Sequence, residues 1–298
     1  MRRLNLIFLA VLLACCIIAG GCAGPGSIIK AISPGKALPK KRVLVLPFKD
    51  QAGFSTKTLE KLSSDFINHL RSSPLLIVFE PTSAFKPGES SAGYKGPDAI
   101  PLSVLRKASD MGMQAVVSVR INALEITTGK TGIWPFRRVK KFYRAGVLLD
   151  IFDTSTRTLA ESGLMEDEIS VRVEEDSDQD IKEIMEQISS EIMPKLFSKQ
   201  AKTAVKRLAA IAWSGRVLAV KEGQIEITGG EDVGLKPGDI LDVFSRGEEI
   251  ISGNGKPVYL LGRKLGYARI VSVMSDRSMA SPLMEMDLSY AESVYFRP

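Results

Sequence analysis

Residues 42–53 read RVLVLPFKDQAG, a short apolar run from Val43 to Leu46 closed by Pro47 and the polar turn residues behind it. A bounded run of this kind predicts a buried strand. Downstream, residues 56–71 place Leu59, Leu62, Phe66, Ile67 and Leu70 at spacings of three and four, which puts them on one helical face. A second bounded run, PLLIVFEP at 74–81, predicts another strand. After a Gly- and Ser-rich loop, Pro101 opens a helix that carries Val104, Leu105, Ala108 and Met111 and that Gly112 closes. QAVVSVRINALEI at 114–126 reads as one long strand, and two more follow around a tight turn at Thr154 to Arg157. An acidic helix from about Asp178 carries the stripe Ile181, Ile184, Ile188, Ile192 and Leu196, and Pro194 should kink or end it. The order β-α-β-α-β-β-β-α predicts a mixed sheet with helices packed on it over residues 42–205.

From residue 209 the pattern changes to short strands at regular spacing: 216–220, 224–228, DILDVF, LGYARIVSVM, RSMASPL and ESVYFRP. Regular short strands predict a small barrel or sandwich over residues 209–298. Glu222-Gly223 is a hairpin signal between the first two. Gly234, Pro237, Gly238 and Asp239 predict a tight turn before DILDVF, with the Asp239 side chain bonding the turn backbone. The whole is an α+β chain, a mixed-sheet α/β domain followed by a small all-β barrel.

Two resemblances follow. The strand and helix pattern of the first half, from RVLVLPFKDQAG through GMQAVVSVRI to LLDIFDTSTRTLAES, resembles the α/β domain shared by the curli secretion channel, the N-terminal domain of the Tol-system β-propeller protein and related envelope lipoproteins. That resemblance implies binding of envelope partners without catalysis. Gly-x-Lys-x-Gly-Asp at 234–239, with Gly215 to Val273 around it, resembles the SH3-like C-terminal domain of the flagellar assembly protein of the sheathed-flagellum outer-membrane ring. Read without that resemblance, the same residues make a turn and nothing more.

The N-terminus supplies an address. Arg2 and Arg3 precede an apolar run from Leu4 to Ala19, and the three cysteines of the chain, Cys15, Cys16 and Cys22, all lie within its first 22 residues. A charged start, a short apolar stretch and small residues read as an export signal over residues 1–21, too short for a membrane span of about 20 apolar residues. Ala19-Gly20-Gly21-Cys22 resembles a bacterial lipobox, which implies cleavage before Cys22 and its acylation. Cys15 stands in a second such position, and a plain signal peptide is the alternative to both. Ala23 after the cysteine implies sorting to the outer membrane. Stable anchoring takes more than one acyl chain, as a triacylated cysteine would supply. Residues 22–41, with Gly24, Pro25, Gly26, Pro34, Gly35 and Pro39, read as a flexible tether. Loss of residues 1–21 removes Arg2 and Arg3 and takes the formal net charge from +6 to +4. It also leaves no thiol for a disulfide or metal site once Cys22 is acylated.

No catalytic residue, metal or cofactor is expected. His69 stands beside Phe66 and Leu70 with no oriented partner nominated by sequence. GESSAG around Ser90 and Ser91 lacks the nucleophile-elbow spacing, and GNGKP at 253–257 has proline where a phosphate loop needs Ser or Thr. Asp176, Asp178 and Asp180 alternate as in a calcium loop but lack its glycine and terminal glutamate. The binding candidate is TGIWPFRRVKKFYR at 131–144: Trp134 and Phe136 at a hairpin tip, followed by Arg137, Arg138, Lys140, Lys141 and Arg144. On an exported protein such a patch points to an envelope protein or anionic headgroups rather than nucleic acid, since Trp and Arg are common interface anchors. The alternative is a solvated hairpin with its aromatics folded back. Charges on both strand faces near the tip disfavour a membrane-barrel hairpin. The expectation is a non-enzymatic, periplasm-facing outer-membrane lipoprotein that helps assemble or stabilise an envelope complex, with a secretion-channel subunit as the alternative. The partner is unspecified and oligomerisation is left open.

Overall fold

A computed structural model describes residues 38–81, 100–172, 181–251 and 257–297. The expected first strand is β1, Lys41–Val45, with every residue buried. After the short strand β2, Lys49–Asp50, comes helix α1, Thr56–Arg71, and the Ser55 hydroxyl caps it by accepting from Thr58 N at 3.2 Å. Strand β3, Leu76–Phe79, and helix α2, Leu102–Asp110, follow. Both pair partners of β1 run parallel to it: β3 on one side and β4, Ala115–Ile121, on the other. Met111 is exposed rather than on the buried face of α2; Ile100 and Met113, which flank the helix, join Leu105 and Ala108 in that core instead.

The long strand expected at 114–126 is two strands. β4 ends at Ile121 and β5, Glu125–Thr131, resumes beyond it. Both lie along the same neighbour, β6, Arg138–Asp153, with Ile121 opposite Val147 and Glu125 opposite Arg144. The register therefore advances by one residue across Asn122 to Leu124, a bulge that interrupts the ladder and re-aims the chain. Strand β7, Thr158–Arg172, covers the other side of β6, joined to it by the turn expected at Thr154 to Arg157.

The closing helix has three parts: α3, Ile181–Gln187, a π-helical turn, Ile188–Ile192, and α4, Met193–Ala210. Pro194 does not end it, since the helix runs on to Ala210, and the expected disturbance is the π turn that directly precedes the proline. A proline ring clashes with the carbonyl four residues back, and the wider π turn just before Pro194 moves that carbonyl aside. The Ser189 and Ser190 hydroxyls take up the Glu186 carbonyl, donating to it at 2.9 and 2.7 Å. Phe197 on α4 stacks on Phe48 with centroids 5.3 Å apart and meets Phe66 edge-on at 6.2 Å. Gln200, buried beside them, donates to the Val147 and Gly163 carbonyls, both at 2.8 Å, and so ties α4 to β6 and the strand beside it.

The C-terminal strands close a barrel in the order β10-β13-β14-β9-β8-β15. In chain order these are β8, Ser214–Lys221, β9, Gln224–Thr228, β10, Ile240–Ser245, β13, Lys264–Val273, β14, Arg277–Pro282, and β15, Ala291–Arg297. A separate hairpin, β11, Glu249–Ile251, with β12, Pro257–Tyr259, sits between β10 and β13 in the chain. The barrel interior is lined by Ile225, Ile227, Leu241, Val243, Ala268, Ile270, Ala280 and Val294. The turn at Gly234 to Asp239 has the expected build. Gly234 and Gly238 take left-handed backbones (φ 85° and 91°), and Asp239 accepts from Lys236 N at 2.9 Å.

Residues Ala37–Pro298 form one compact unit, and the sheet and the barrel are joined by a polar seam. The Gln114 amide accepts from Arg42 N at 2.6 Å and donates to the carbonyls of Gly112 (3.0 Å) and Ser214 (2.7 Å). Arg42 reaches across to Asp232 with Nε and Nη2 at 2.9 and 2.5 Å. Gly112 (φ 73°) packs so closely that a Cβ there would stand 2.9 Å from the Arg42 guanidinium and 3.1 Å from Thr228. Leu38 packs against the barrel core and Lys40 N donates to Val233 O at 2.7 Å, so the end of the stretch read as a tether, residues 38–41, is packed on the fold.

Lys41 is buried with its ammonium 3.0 Å from the Ala209 carbonyl, and loss of solvent lowers its pKa to about 8 from an ordinary 10.5. Below about pH 8 the folded and unfolded chains both carry this charge and the folded one bears its desolvation in full. Between about pH 8 and 10.5 the unfolded chain binds more protons, so this residue's contribution to stability rises with pH. Thermal melts of wild type and Lys41→Met at pH 7.5 and pH 10 should show the Tm difference moving in favour of wild type at the higher pH; a constant difference would refute the assignment.

Candidate functional site

Beyond the bulge, β5, the first half of β6 and the second half of β7 form a three-stranded arm. Every residue of β5 is at least partly exposed. Glycine in a strand leaves a gap in its face, and the Phe142 ring closes the one at Gly129, coming within 3.1 Å of where a Cβ would stand. Arg144 bridges the arm, pairing with Glu125 on β5 at 3.3 Å and Glu168 on β7 at 3.4 Å. It is thereby committed to cross-strand ties.

The hairpin tip between β5 and β6 presents three large apolar side chains to solvent: Ile133, Trp134 and Phe136 are 85, 77 and 82% exposed. The aromatics do not fold back onto the sheet. Gly132 (φ 109°) starts the turn, the Trp134-Pro135 peptide is cis, and Phe136 N donates to Ile133 O at 2.7 Å. Arg137, Arg138 and Lys141 are exposed beside the tip, and Lys140 lies half-buried with its ammonium 3.4 Å from Ser170 Oγ. No acidic residue occurs between Glu125 and Asp150, so Lys130 and the five basic residues from Arg137 to Arg144 stand on a segment with no negative charge of its own. Six of the seven predicted binding residues are thus together at one end of the arm, and Arg144 lies behind them in its ion pairs.

The predicted turn residues Gly234, Pro237, Gly238 and Asp239 stand in the barrel. Gly238 N donates to Ile270 O and Ile270 N to Asp239 O, at 2.8 and 2.9 Å, which fastens the turn to β13. His69 is exposed on α1. Among the described residues no group of His, Cys, Asp and Glu side chains is arranged to hold a metal, and no helix is long and apolar enough to cross a membrane. Cys22, Cys15, Ser90, Ser91, Asp176, Asp178 and Asp180, and most of GNGKP, lie outside the described residues.

Sequence reasoning found the tip but missed the ion-pair bridge behind it, whose members are 19 and 24 residues apart and meet only through strand register. It also missed a second concave surface at the seam. A cleft of about 580 Å³ there is lined by Arg106, Arg157, Arg216, Arg246 and Glu292 among serines and glycines.

No protein-family model matches the chain, and no curated protein matches it. Among solved structures, a hypothetical protein from Chlamydia trachomatis is 15% identical with a TM-score of 0.35, covering 57% of this chain and 95% of that one. Lipoprotein GNA1162 from Neisseria meningitidis is 13% identical with a TM-score of 0.29, covering 57% and 99%. An uncharacterized lipoprotein B from Nitrosomonas europaea is 11% identical with a TM-score of 0.32, covering 58% and 87%.

Proposed function

We propose that this protein is a non-enzymatic lipoprotein, held at the outer membrane through acylated Cys22 and facing the periplasm, that uses the β5–β6 arm to bind an envelope protein partner. The observation that carries this reading is the tip itself: Ile133, Trp134 and Phe136 project into solvent from a hairpin braced by the Glu125–Arg144–Glu168 pairs. Large apolar side chains grouped on a surface mark interaction sites, and aromatic anchors with arginines beside them are the composition of interface hot spots. The lipobox resemblance supports the anchor. The two domain resemblances support a role in assembling or stabilising an envelope complex, the flagellar outer-membrane ring being one of that kind.

Crosslinking in intact cells tests the reading. Wild type should give a discrete high-mass adduct through the tip, and Trp134→Ala with Phe136→Ala should lose it at least about tenfold, the scale of an interface anchor. The double variant should keep the wild-type Tm, because both side chains are exposed and surface changes usually cost within about 0.5 kcal/mol. An undiminished adduct would overturn the reading. So would flotation of the purified protein with phosphatidylglycerol vesicles that the same substitutions abolish, since that would give the tip to lipid.

A further inference from the structure

The cleft at the seam is built from residues that are far apart in sequence. Arg106 comes from α2, Arg157 from the β6–β7 turn, Arg216 from β8, and Arg246 from the residue after β10; Glu292 of β15 supplies the carboxylate. Arg216 and Arg246 are held in ion pairs at the rim. Arg216 meets Asp110, whose side chain is 59% exposed, and Arg246, 81% exposed, stands 3.9 Å from Glu292. Exposed pairs of this kind contribute little. A volume near 580 Å³ falls within the range of small-molecule sites.

Arg157 adds an independent observation. Its φ is 56°, a left-handed backbone that glycine or asparagine adopts at least cost. The conformation belongs to the β6–β7 reversal, as Glu222 (φ 50°) does between β8 and β9, and it fixes where the Arg157 side chain leaves the turn at the lip of the cleft. Three other guanidiniums line the same cleft, and guanidinium forks match phosphate oxygens bidentately.

We propose that this cleft binds a small, multiply charged phosphate compound, with Arg157 and Arg216 as its principal ligands. Recognition here is independent of the arm tip, which stands at the other end of β6. The probe is inorganic pyrophosphate, titrated at 150 mM KCl against protein carrying Trp134→Phe. The chain has two tryptophans, so this background leaves Trp213, whose ring lies 2.9 Å from the Cβ position of the cleft residue Gly215, as the fluorescence reporter.

Saturable one-to-one binding is expected, with citrate as the tricarboxylate comparison binding at least about tenfold more weakly. Arg157→Gly, which the left-handed turn accepts without distortion, should keep a Tm close to that of its parent and weaken pyrophosphate at least about tenfold, the scale of one charge-assisted contact. Arg216→Gln should do the same, while Arg137→Gln with Arg138→Gln at the tip should leave it unchanged. An absence of saturation up to 10 mM, about the weak limit for a specific small-anion site, would overturn the proposal. Equal affinity in Arg157→Gly and its parent would overturn it too, as would citrate binding as tightly as pyrophosphate. None of these results bears on the crosslinked adduct of the tip.

Discussion

Phe197→Ala should lower the unfolding free energy by about 3–5 kcal/mol, the cost of removing a buried phenyl ring and leaving the space unfilled. Phe197 is fully buried, stacked at an interplanar angle of 14° on Phe48, and set edge-on at 86° to Phe66. Phe48 and Phe66 also touch edge-on at 5.6 Å, so the three rings form a closed set joining the chain after β1, α1 and α4. Each partner loses its contacts on one side when the ring is deleted, and helices cannot move inward without carrying Gln200 off the β6 and β7 carbonyls. For a cooperative unit of this size the Tm should fall by roughly 10 °C. Phe197→Leu keeps most of the volume and should cost less than half as much. A loss below about 1 kcal/mol in urea unfolding of Phe197→Ala would contradict the packing described.

Asp232→Ala should cost about 2–4 kcal/mol. The Arg42 side chain is 9% exposed and that of Asp232 is 35% exposed, so the pair is partly dry on one side only. Removing the carboxylate leaves a buried guanidinium that still donates to the Asp276 carbonyl at 3.2 Å. Breaking a buried pair by deleting one member costs about 3–5 kcal/mol when both are desolvated; the exposure of Asp232 lowers the expectation here. Asp232 also accepts from Gly230 N at 3.2 Å, so the barrel loses a local tie in the same stroke. Arg42→Met together with Asp232→Ala should recover a substantial part of the loss, because no charge is then stranded. Calorimetry reads both, and additive losses in the double variant would refute the coupling.

Much of the architecture was legible because it is written in local periodicity. The three-and-four spacing from Leu59 to Leu70 gave α1, and short apolar runs between turns gave the barrel strands. The parting of β4 from β5 was not, because a bulge adds a single residue without interrupting the apolar pattern of VVSVRINALEI. The π turn was hidden for a related reason: Ile184, Ile188 and Ile192 keep a helical stripe through it. The tip was readable from Trp134 and Phe136 beside clustered bases, though sequence left open whether the rings folded back. The seam was not readable at all. Arg42 and Asp232 are 190 residues apart, and Gln114 and Ser214 are 100 apart, with nothing in either neighbourhood that marks the pairing. The cleft shares that obscurity, being assembled from single arginines in chemically ordinary surroundings.

The span of β6 has a mechanical consequence. Its 16 residues cover about 50 Å at strand rise, and the tip lies at its Arg138 end. Val43 pairs with Ala115 and Ala115 with Asp153, so the described chain starts near the other end. If the proposed attachment at Cys22 is what holds the protein to the membrane, the arm then acts as a stand-off, carrying the tip about 50 Å from the end of the sheet at which the described chain starts.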